Sequence, residues 1–453
     1  MLVVFGILSS MLFLITYILL RRTEKRLLLT LDNLVLFVLS IVFGVVFPIT
    51  YFYSLNHQGN TYLKIVSDYT VLDILKYYIC IYLLTLFFSL AFRGAVRDKG
   101  VLIKNEEECD IINSSRFYYA AIILFLVGVV SDFLYCRAYG GYIGYLEYST
   151  FIRAGVTDVV YNRWSFLFAF RDCIVISSYL FLAQIKKDGK ILVYRALLFA
   201  ISLILSCMVL YANKGRLSFL IYFSVFILTY MLKKQKDSYF KLRITNLLKF
   251  YALGLSGVLG FGYLSNLMGR SDNSRLLDLL FNEVAFVFSN FKVLVDNIKI
   301  GDARLFSDIM SYPLYLLPSR FWRTIMPDTA SDIITIFVFG SKKGMGDVYG
   351  EVPIDLISIG YIQFGIIGVV VFAVFFGFFV AKVLNAVSNI SNIRTRTILV
   401  AYITIDVALR SVFYADSYNV VQRMFSLVVF GLIYWGIGLI SRGKIFAKNK
   451  SSN

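Results

Sequence analysis

The sequence is dominated by apolar runs of about 20 residues, which recur along the chain with short polar stretches between them. A helix of roughly 20 residues spans the ~30 Å hydrocarbon core of a bilayer. The runs are continuously apolar and do not alternate every second residue, which is not the pattern of a membrane β-barrel. We therefore predict an all-α polytopic membrane protein.

Eleven spans are predicted, and the composition agrees, because 59% of the 453 residues are hydrophobic and the mean hydropathy is +0.75. The predicted spans are 2–20, 32–53, 70–92, 117–136, 165–185, 191–212, 217–232, 250–268, 357–381, 397–415 and 424–441. The chain thus divides into helices 1–8 (residues 1–268), one large loop (269–356), and helices 9–11 with a tail (357–453).

The distribution of basic residues predicts the orientation. If the N-terminus is outside, the segments assigned to the cytoplasm hold 25 Lys and Arg, and the short outer loops hold seven. Basic residues are retained on the cytoplasmic side, so we expect a periplasmic N-terminus and a cytoplasmic C-terminus. The net charge of +17 is then explained by topology, and no nucleic-acid partner is expected.

The large loop contains four of the five prolines and remains apolar. The stretch "RLLDLLFNEVAFVFSNFKVLVDNI" has apolar residues at helical spacing with charges between them, which predicts an amphipathic helix on the bilayer surface. The stretch "SDIMSYPLYLLPSRFWRTIMP" predicts a short re-entrant or capping hairpin. Loops of this length are usually functional.

Several predicted spans carry ionisable side chains, which are costly in a bilayer unless they are paired or hydrated. They are Asp73, Lys76, Asp132, Arg171, Asp172, Asp406 and Arg410. Two explanations of these residues are open: internal ion pairs that fix the helix register, or a polar cavity that opens to the outside and is lined by the same groups. The five cysteines are scattered and there is one histidine, so neither a metal site nor a cofactor is expected.

Cations also collect in three outer segments beside apolar spans: Lys214 and Arg216, Arg270 and Arg275, and Arg320 and Arg323. The planar guanidinium group binds phosphate through charge-assisted, often bidentate hydrogen bonds. A lipid-linked diphosphate presents its headgroup at this depth. A tight turn whose cations reach lipid phosphates is the alternative explanation of "YANKGR".

These segments resemble a known family. "YANKGRLSFLIYF", then "LMGRSDNSRLL", then a long loop closing with "GEVPIDLISIGYIQFGIIGVVVFAVFFG", are similar to the O-antigen polymerases, relatives of the O-antigen ligases. The resemblance implies a GT-C-like helical bundle in the bacterial inner membrane that polymerises undecaprenyl-pyrophosphate-linked oligosaccharide units. It also implies that Arg216 and Arg270 hold the diphosphate, and it allows a chain-length regulator protein as a partner.

The resemblance leaves the catalytic base open. Ligases of that superfamily carry a histidine shortly before the "FGIIG" step, whereas this chain has Ile354 and Asp355 there. Glu351 and Asp355 are the nearest carboxylates, and either is a candidate base or an ordinary helix cap. Lys214, Arg275, Arg320, Arg323 and Arg410 are the further candidates for binding substrate.

Two other functions remain open on the sequence. One is a flippase or other transporter of lipid-linked oligosaccharide, a class that often shows internal repeats and broken helices, although no repeat is visible here. The other is an O-antigen ligase. Loss of a polymerase should leave single-unit glycan, whereas loss of a flippase or ligase should leave none attached.

Overall fold

The computed structural model describes residues 1–21, 31–96, 111–154, 160, 162–187, 190–213, 216–234, 276–298, 303–311, 313–317, 328–346, 348–388, 390 and 392–450. These residues form two compact units, each contributed by three stretches of chain. Unit 1 is drawn from Met1–Lys99, Met231–Asn385 and Ile403–Val420, and unit 2 from Gly100–Tyr230, Ala386–Tyr402 and Val421–Asn453.

The described chain is almost entirely helical. Its α-helices are α1 Leu2–Arg21, α2 Leu31–Ile41, α3 Phe47–Ser54, α4 Thr61–Ser67, α5 Val71–Ala95, α6 Ile111–Arg137, α7 Tyr142–Ala154, α8 Phe168–Arg171, α9 Cys173–Gln184, α10 Val193–Ala212, α11 Arg216–Lys234, α12 Leu276–Asn297, α13 Ser307–Met310, α14 Ala330–Phe339, α15 Leu356–Ser388, α16 Ile393–Tyr402, α17 Arg410–Phe413 and α18 Ser417–Lys450. Short 3₁₀ turns lie at Ser165–Leu167 and Leu314–Leu316, and π-helical segments at Val42–Val46 and Ile403–Leu409. An antiparallel ribbon pairs β1 (Lys186–Lys187) with β2 (Lys190–Ile191).

Eight helical stretches in the described chain are long and apolar enough to cross a membrane: Leu2–Leu20, Leu31–Ser54, Val71–Ala95, Ser115–Arg137, Ser165–Gln184, Val193–Ala212, Leu356–Ser388 and Ser417–Leu439. This confirms the prediction of a helical, membrane-type architecture. The predicted span 217–232 corresponds to a shorter apolar helix, and 397–415 to α16, a π-helix and α17 in succession. The predicted span 250–268 lies outside the described residues, so the count of eleven stays a prediction.

Unit 1 is built around α12. Every residue from 285 to 294 is buried, although the sequence predicted an amphipathic helix on the bilayer surface. The rings of Phe288 and Phe291 pack on Phe47 and Tyr77, with centroids 4.8 and 4.4 Å apart. The polar residue Lys292 is accommodated because its ammonium group contacts the Asp73 carboxylate of α5 at 3.3 Å.

Unit 2 contains a close crossing of α6 and α9. A Cβ on Gly128 of α6 would lie 2.8 Å from the backbone nitrogen of Ile174, so only glycine allows this approach. The aromatic residues Tyr179 and Tyr222 fill the interior, and the Tyr179 hydroxyl donates to the Tyr222 carbonyl at 3.2 Å. The hydroxyl groups of Ser178 and Tyr222 form a hydrogen bond with each other at 2.8 Å.

Candidate functional site

The structure describes three of the nine predicted site residues in full: Glu351, Asp355 and Arg410. The backbone of Arg216 begins α11, but its side chain is outside the described part. The other predicted site residues lie outside the described residues altogether; they are Lys214, Arg270, Arg275, Arg320 and Arg323. All three fully described residues belong to unit 1.

Asp355 lies at the start of α15 and is fully buried. Its Oδ1 accepts hydrogen bonds from the backbone N–H groups of Ile357 and Ser358, both at 3.0 Å. Its Oδ2 accepts from the side-chain amide of Asn290 at 3.4 Å. This is the geometry of an N-cap, which satisfies backbone donors that the helix itself leaves unpaired. Of the two roles that the sequence left open for Asp355, the geometry favours the cap.

Glu351 begins an extended segment that neighbouring elements hold in place. The Val352 N–H donates to Oγ1 of Thr335 on α14 at 2.9 Å, and the Ala415 N–H donates to the Ile354 carbonyl at 2.7 Å. Val352 and Ile354 point into the interior and are buried, whereas Glu351 is exposed. The Glu351 carboxylate is therefore the accessible one of the two candidates.

Asp416, which the sequence reasoning missed, caps two helices at once. Its Oδ1 accepts from the Tyr418 N–H at 3.0 Å in the first turn of α18. Its Oδ2 accepts from the Ser331 N–H at 3.3 Å in the first turn of α14. The residue is 2% exposed, so its carboxylate ties together two helix N-termini inside unit 1. The sequence signal was a carboxylate placed directly before an apolar helical run, "DSYNVV".

Glu351, Asp332 and Asp416 interact electrostatically, and we call them the carboxylate cluster. Desolvation by the surrounding protein and the charges of Asp416 and Asp332 raise the pKa of Glu351 to about 7, while Lys343 opposes the rise. Burial and the charge of Asp308 likewise raise the pKa of Asp416. A carboxyl group whose pKa is raised toward neutral pH is suited to general acid–base chemistry.

Arg410 pairs within its own stretch of helix. Its Nη1 donates to Oδ1 of Asp406 at 2.9 Å, and its guanidinium lies 5.8 Å from the Tyr414 ring centroid. The side chain keeps 21% of its surface exposed. The pair spans the end of the π-helical segment Ile403–Leu409, and such segments recur near functional sites.

The "GYIQFGIIG" step at 360–368 is a sharp helix reversal. Phe364 (φ −163°, ψ 46°) and Gly365 (φ 60°, ψ −141°) are non-helical, so α15 consists of a short arm, 356–363, and a long arm from 366 onward. A Cβ on Gly360 would lie 2.7 Å from Cα of Val369, which shows that the two arms touch backbone to backbone. The two non-helical residues of the reversal lie 13 and 14 residues after Glu351 in the chain.

A clasp from residues 304–308 closes the end of the short arm. The Arg304 and Leu305 N–H groups donate to the Ile362 and Gln363 carbonyls at 3.2 and 3.1 Å. The Arg304 guanidinium makes a two-pronged contact with Asp308, which also accepts from the Gln363 amide at 2.6 Å. Leu305 and the next residue have φ values of 48° and 64°, a strained conformation for side chains other than glycine.

In unit 2, two ionisable residues of the predicted spans, Asp132 and Arg171, form an ion pair. Nε of Arg171 donates to Oδ1 of Asp132 at 2.7 Å, and the guanidinium is fully buried. The interpretation of these charges as internal ion pairs is therefore confirmed for Arg171 with Asp132. The same holds in unit 1 for Asp406 with Arg410, and Asp73 pairs with Lys292.

Comparisons with known protein families, with curated proteins and with solved structures find no match to this chain. The class of protein is therefore defined by the fold alone, a polytopic helical protein of the membrane type. Among the described residues, no cluster of His, Cys, Asp and Glu has the arrangement of a metal site. The chemistry available in the described part is that of the carboxylate cluster.

Proposed function

We propose that the protein is a membrane glycosyltransferase that polymerises lipid-linked oligosaccharide repeat units into a bacterial surface polysaccharide. The observation that carries the proposal is the position of Glu351, an accessible carboxyl within the carboxylate cluster, at the end of the large loop and before the helix reversal. The sequence resemblance to the O-antigen polymerases supports the substrate class.

In the proposed reaction, a hydroxyl oxygen of the acceptor sugar attacks the anomeric carbon of the donor sugar. The bond between that carbon and the diphosphate oxygen breaks, and the prenyl diphosphate leaves with the bonding electrons. Glu351 accepts the hydroxyl proton as general base. The reaction requires no redox change, since one C–O bond replaces another and the diphosphate is the leaving group.

The cations have the remaining roles in this proposal. Arg216 and Arg270 hold the donor diphosphate and stabilise the charge that develops on it as it departs. Acceptor binding or loop positioning falls to Lys214, Arg275, Arg320, Arg323 and Arg410. The site faces the periplasm, in the orientation that the basic residues predict, with the N-terminus on the same side.

The role of Glu351 is tested by Glu351→Gln and Glu351→Asp in cells that lack the native gene, with the surface glycan resolved on a gel. We expect the glutamine variant to leave single-unit glycan and the aspartate variant to retain part of the long-chain ladder. Asp328→Asn is the matched control, because Asp328 is a 45% exposed carboxylate of the same loop that pairs with Lys342 at 2.6 Å. A full ladder from Glu351→Gln at normal protein level would contradict the assignment.

A transporter of lipid-linked oligosaccharide is the second candidate, and the helix reversal at 364–365 favours it. Broken helices are common at the substrate sites of secondary transporters. Deletion of the gene separates the two functions. Single-unit glycan attached to its acceptor supports the polymerase, whereas the absence of any transferred unit supports the transporter or a ligase.

A further inference from the structure

Two arginines of unit 2 are buried, and they differ in their counter-charge. Arg171 is 0% exposed and is paired with Asp132. Arg195, in the first turn of α10, is 7% exposed, and no Asp or Glu of the described residues lies within ion-pair distance of it. A buried charge without a counter-charge is costly in a protein interior. The Arg195 guanidinium is therefore an unbalanced positive charge.

The neighbours of the Arg195 guanidinium leave one of its nitrogens unused. Nη1 donates to the Gln184 carbonyl at 3.1 Å, and Nε donates to the Tyr194 hydroxyl at 3.2 Å. The guanidinium carbon lies 4.4 Å from the Tyr118 ring centroid and 5.6 Å from that of Tyr194. Nη2 makes no hydrogen bond to any residue that the structure describes. The contacts thus fix the guanidinium between two aromatic rings and leave a charged donor for a further acceptor.

The start of α10 adds to this positive charge. The residue before the helix, Leu192, provides no side-chain cap, and the first turn contains no Asp or Glu. The N-terminus of a helix carries a partial positive charge, which an acidic side chain or a bound anion offsets. In α10 the first turn holds Arg195 instead. The helix dipole and the guanidinium therefore both favour an anion at this position.

A second buried polar side chain lies beside Arg195 without a partner. Gln184, the last residue of α9, is 3% exposed, and neither Nε2 nor Oε1 of its amide has a hydrogen-bond partner in the described part of the chain. Its backbone carbonyl is the acceptor of Arg195, so the two residues are in direct contact. Buried polar groups are paired in most proteins, and an unpaired one indicates that a further polar group belongs there. Polar partners are thus lacking at two residues that contact each other.

An exposed apolar stripe begins at the same end of α10. Its members are between 37% and 81% exposed, and they are Val193, Leu197, Ile201, Ile204 and Met208. Steps of three and four residues place them on one face of the helix. At about 1.5 Å per residue, the stripe is about 22 Å long. Since α10 is long and apolar enough to cross a membrane, the stripe is suited to contact with an acyl chain.

We propose that Arg195, the Tyr194 hydroxyl and the start of α10 bind the phosphate of an anionic phospholipid, with an acyl chain along the apolar stripe. The phosphate oxygens accept from Nη2 of Arg195 and from the Tyr194 hydroxyl, which keeps its own hydrogen because it accepts from Nε. The sequence also has Lys186, Lys187 and Lys190 just before α10, and basic segments beside a spanning helix attract anionic lipid. This lipid site is independent of the proposed transferase activity.

The lipid site is tested by thermal unfolding of the purified full-length protein in a neutral detergent, with increasing amounts of short-chain phosphatidylglycerol. A ligand that binds the folded state raises Tm by mass action. We expect phosphatidylglycerol to raise the Tm of the wild type by several degrees and phosphatidylcholine, whose headgroup has no net charge, to raise it much less. Equal shifts from the two lipids overturn the proposal. An equal shift from inorganic phosphate also overturns it, because the site then binds a free anion.

Two variants assign the lipid effect to this site. Arg195→Gln removes the charge, and we expect the phosphatidylglycerol concentration for half of the Tm shift to rise at least about tenfold, the effect of losing a charge-assisted hydrogen bond. Tyr194→Phe removes only the hydroxyl of a 52% exposed ring, so it keeps the fold, and we expect a severalfold rise. Arg137→Gln, the matched control, removes an exposed arginine at the end of α6 and should respond as the wild type does. An unchanged lipid response in Arg195→Gln and Tyr194→Phe, or an equal loss in Arg137→Gln, overturns the proposal.

Discussion

The helix reversal in α15 depends on contact between two glycines, and Gly368→Ala tests it. A Cβ at this position would lie 2.2 Å from the Gly360 carbonyl oxygen and 3.4 Å from Cβ of Gln363. Ordinary van der Waals contacts of a Cβ begin at 3.4 Å, so the two arms must separate by about 1 Å. Since the obstructing atom belongs to the backbone, no side-chain rotation relieves the contact.

Overpacking of this kind costs about 1–3 kcal/mol of unfolding free energy. The assay is thermal unfolding of the purified protein in detergent, with Gly436→Ala as the control. A Cβ at Gly436 of α18 meets nothing within 4 Å, and alanine is the better helix former. We expect Gly368→Ala to lower Tm by several degrees and Gly436→Ala to leave it equal or higher. Equal Tm values for the two variants would refute the backbone contact.

Three further predictions concern charged groups of unit 1. Glu351 must be deprotonated to act as a base, so activity should rise with pH through its pKa of about 7. Asp416→Asn removes a neighbouring negative charge and should therefore move the midpoint of the pH–rate profile to lower pH. Burial raises the pKa of Asp355 from 3.8 to about 6, so the folded state binds this proton more tightly than the unfolded chain and loses stability as pH rises from about 4 to 6. Asp355→Asn keeps a cap, so its free energy of unfolding should exceed that of the wild type by up to about 3 kcal/mol at pH 7.5 and should equal it at pH 4. A difference in stability that does not change with pH would contradict this. Lys292→Met leaves the buried Asp73 without its cation and should lower the free energy of unfolding, measured with denaturant, by about 3–5 kcal/mol. Asp296→Asn is the control, because the Asp296 carboxylate is 49% exposed, and it should lower this free energy by less than about 1 kcal/mol. Similar losses in the two variants would contradict the pairing of Lys292 with Asp73.

The sequence predicted the helical membrane architecture because that information is local. Each apolar run reports its own length and composition, and eight such helices are present in the described residues. The caps are also local: Thr70 directly precedes α5 and Asp73 lies in its first turn, and the two exchange hydrogen bonds as a capping box. The cap by Asp355 is local as well, because the residue directly precedes the apolar run that forms α15.

The burial of α12 could not be predicted in this way. Lys292 and Asp296 stand four residues apart in the sequence, a spacing that is typical of a solvated charged helix face, and they contact each other at 2.7 Å. Only the fold brings Asp73, from a distant helix, to the Lys292 ammonium group and allows the cation to be buried. An ion pair between remote segments leaves no periodicity in the sequence.

The helix reversal also combines a local sequence feature with a contact that depends on the fold. The glycines of "GYIQFGIIG" stand out in the sequence as a motif, but the contact between Gly360 and Gly368 depends on the left-handed conformation of Gly365. Asp416 likewise has one local role and one that depends on the fold. Its role as a cap of α18 is local, whereas its hydrogen bond to Ser331 joins it to a helix far earlier in the chain.

Polymerisation by the purified protein is the most direct test of the proposed function. The full-length chain in lipid vesicles is given an undecaprenyl-pyrophosphate-linked repeat unit, and the products are separated by mass. We expect products of two and more units, with one prenyl diphosphate released for each bond formed, and loss of both in Glu351→Gln. A folded wild-type protein that moves the lipid-linked unit across the bilayer without joining two units would contradict it.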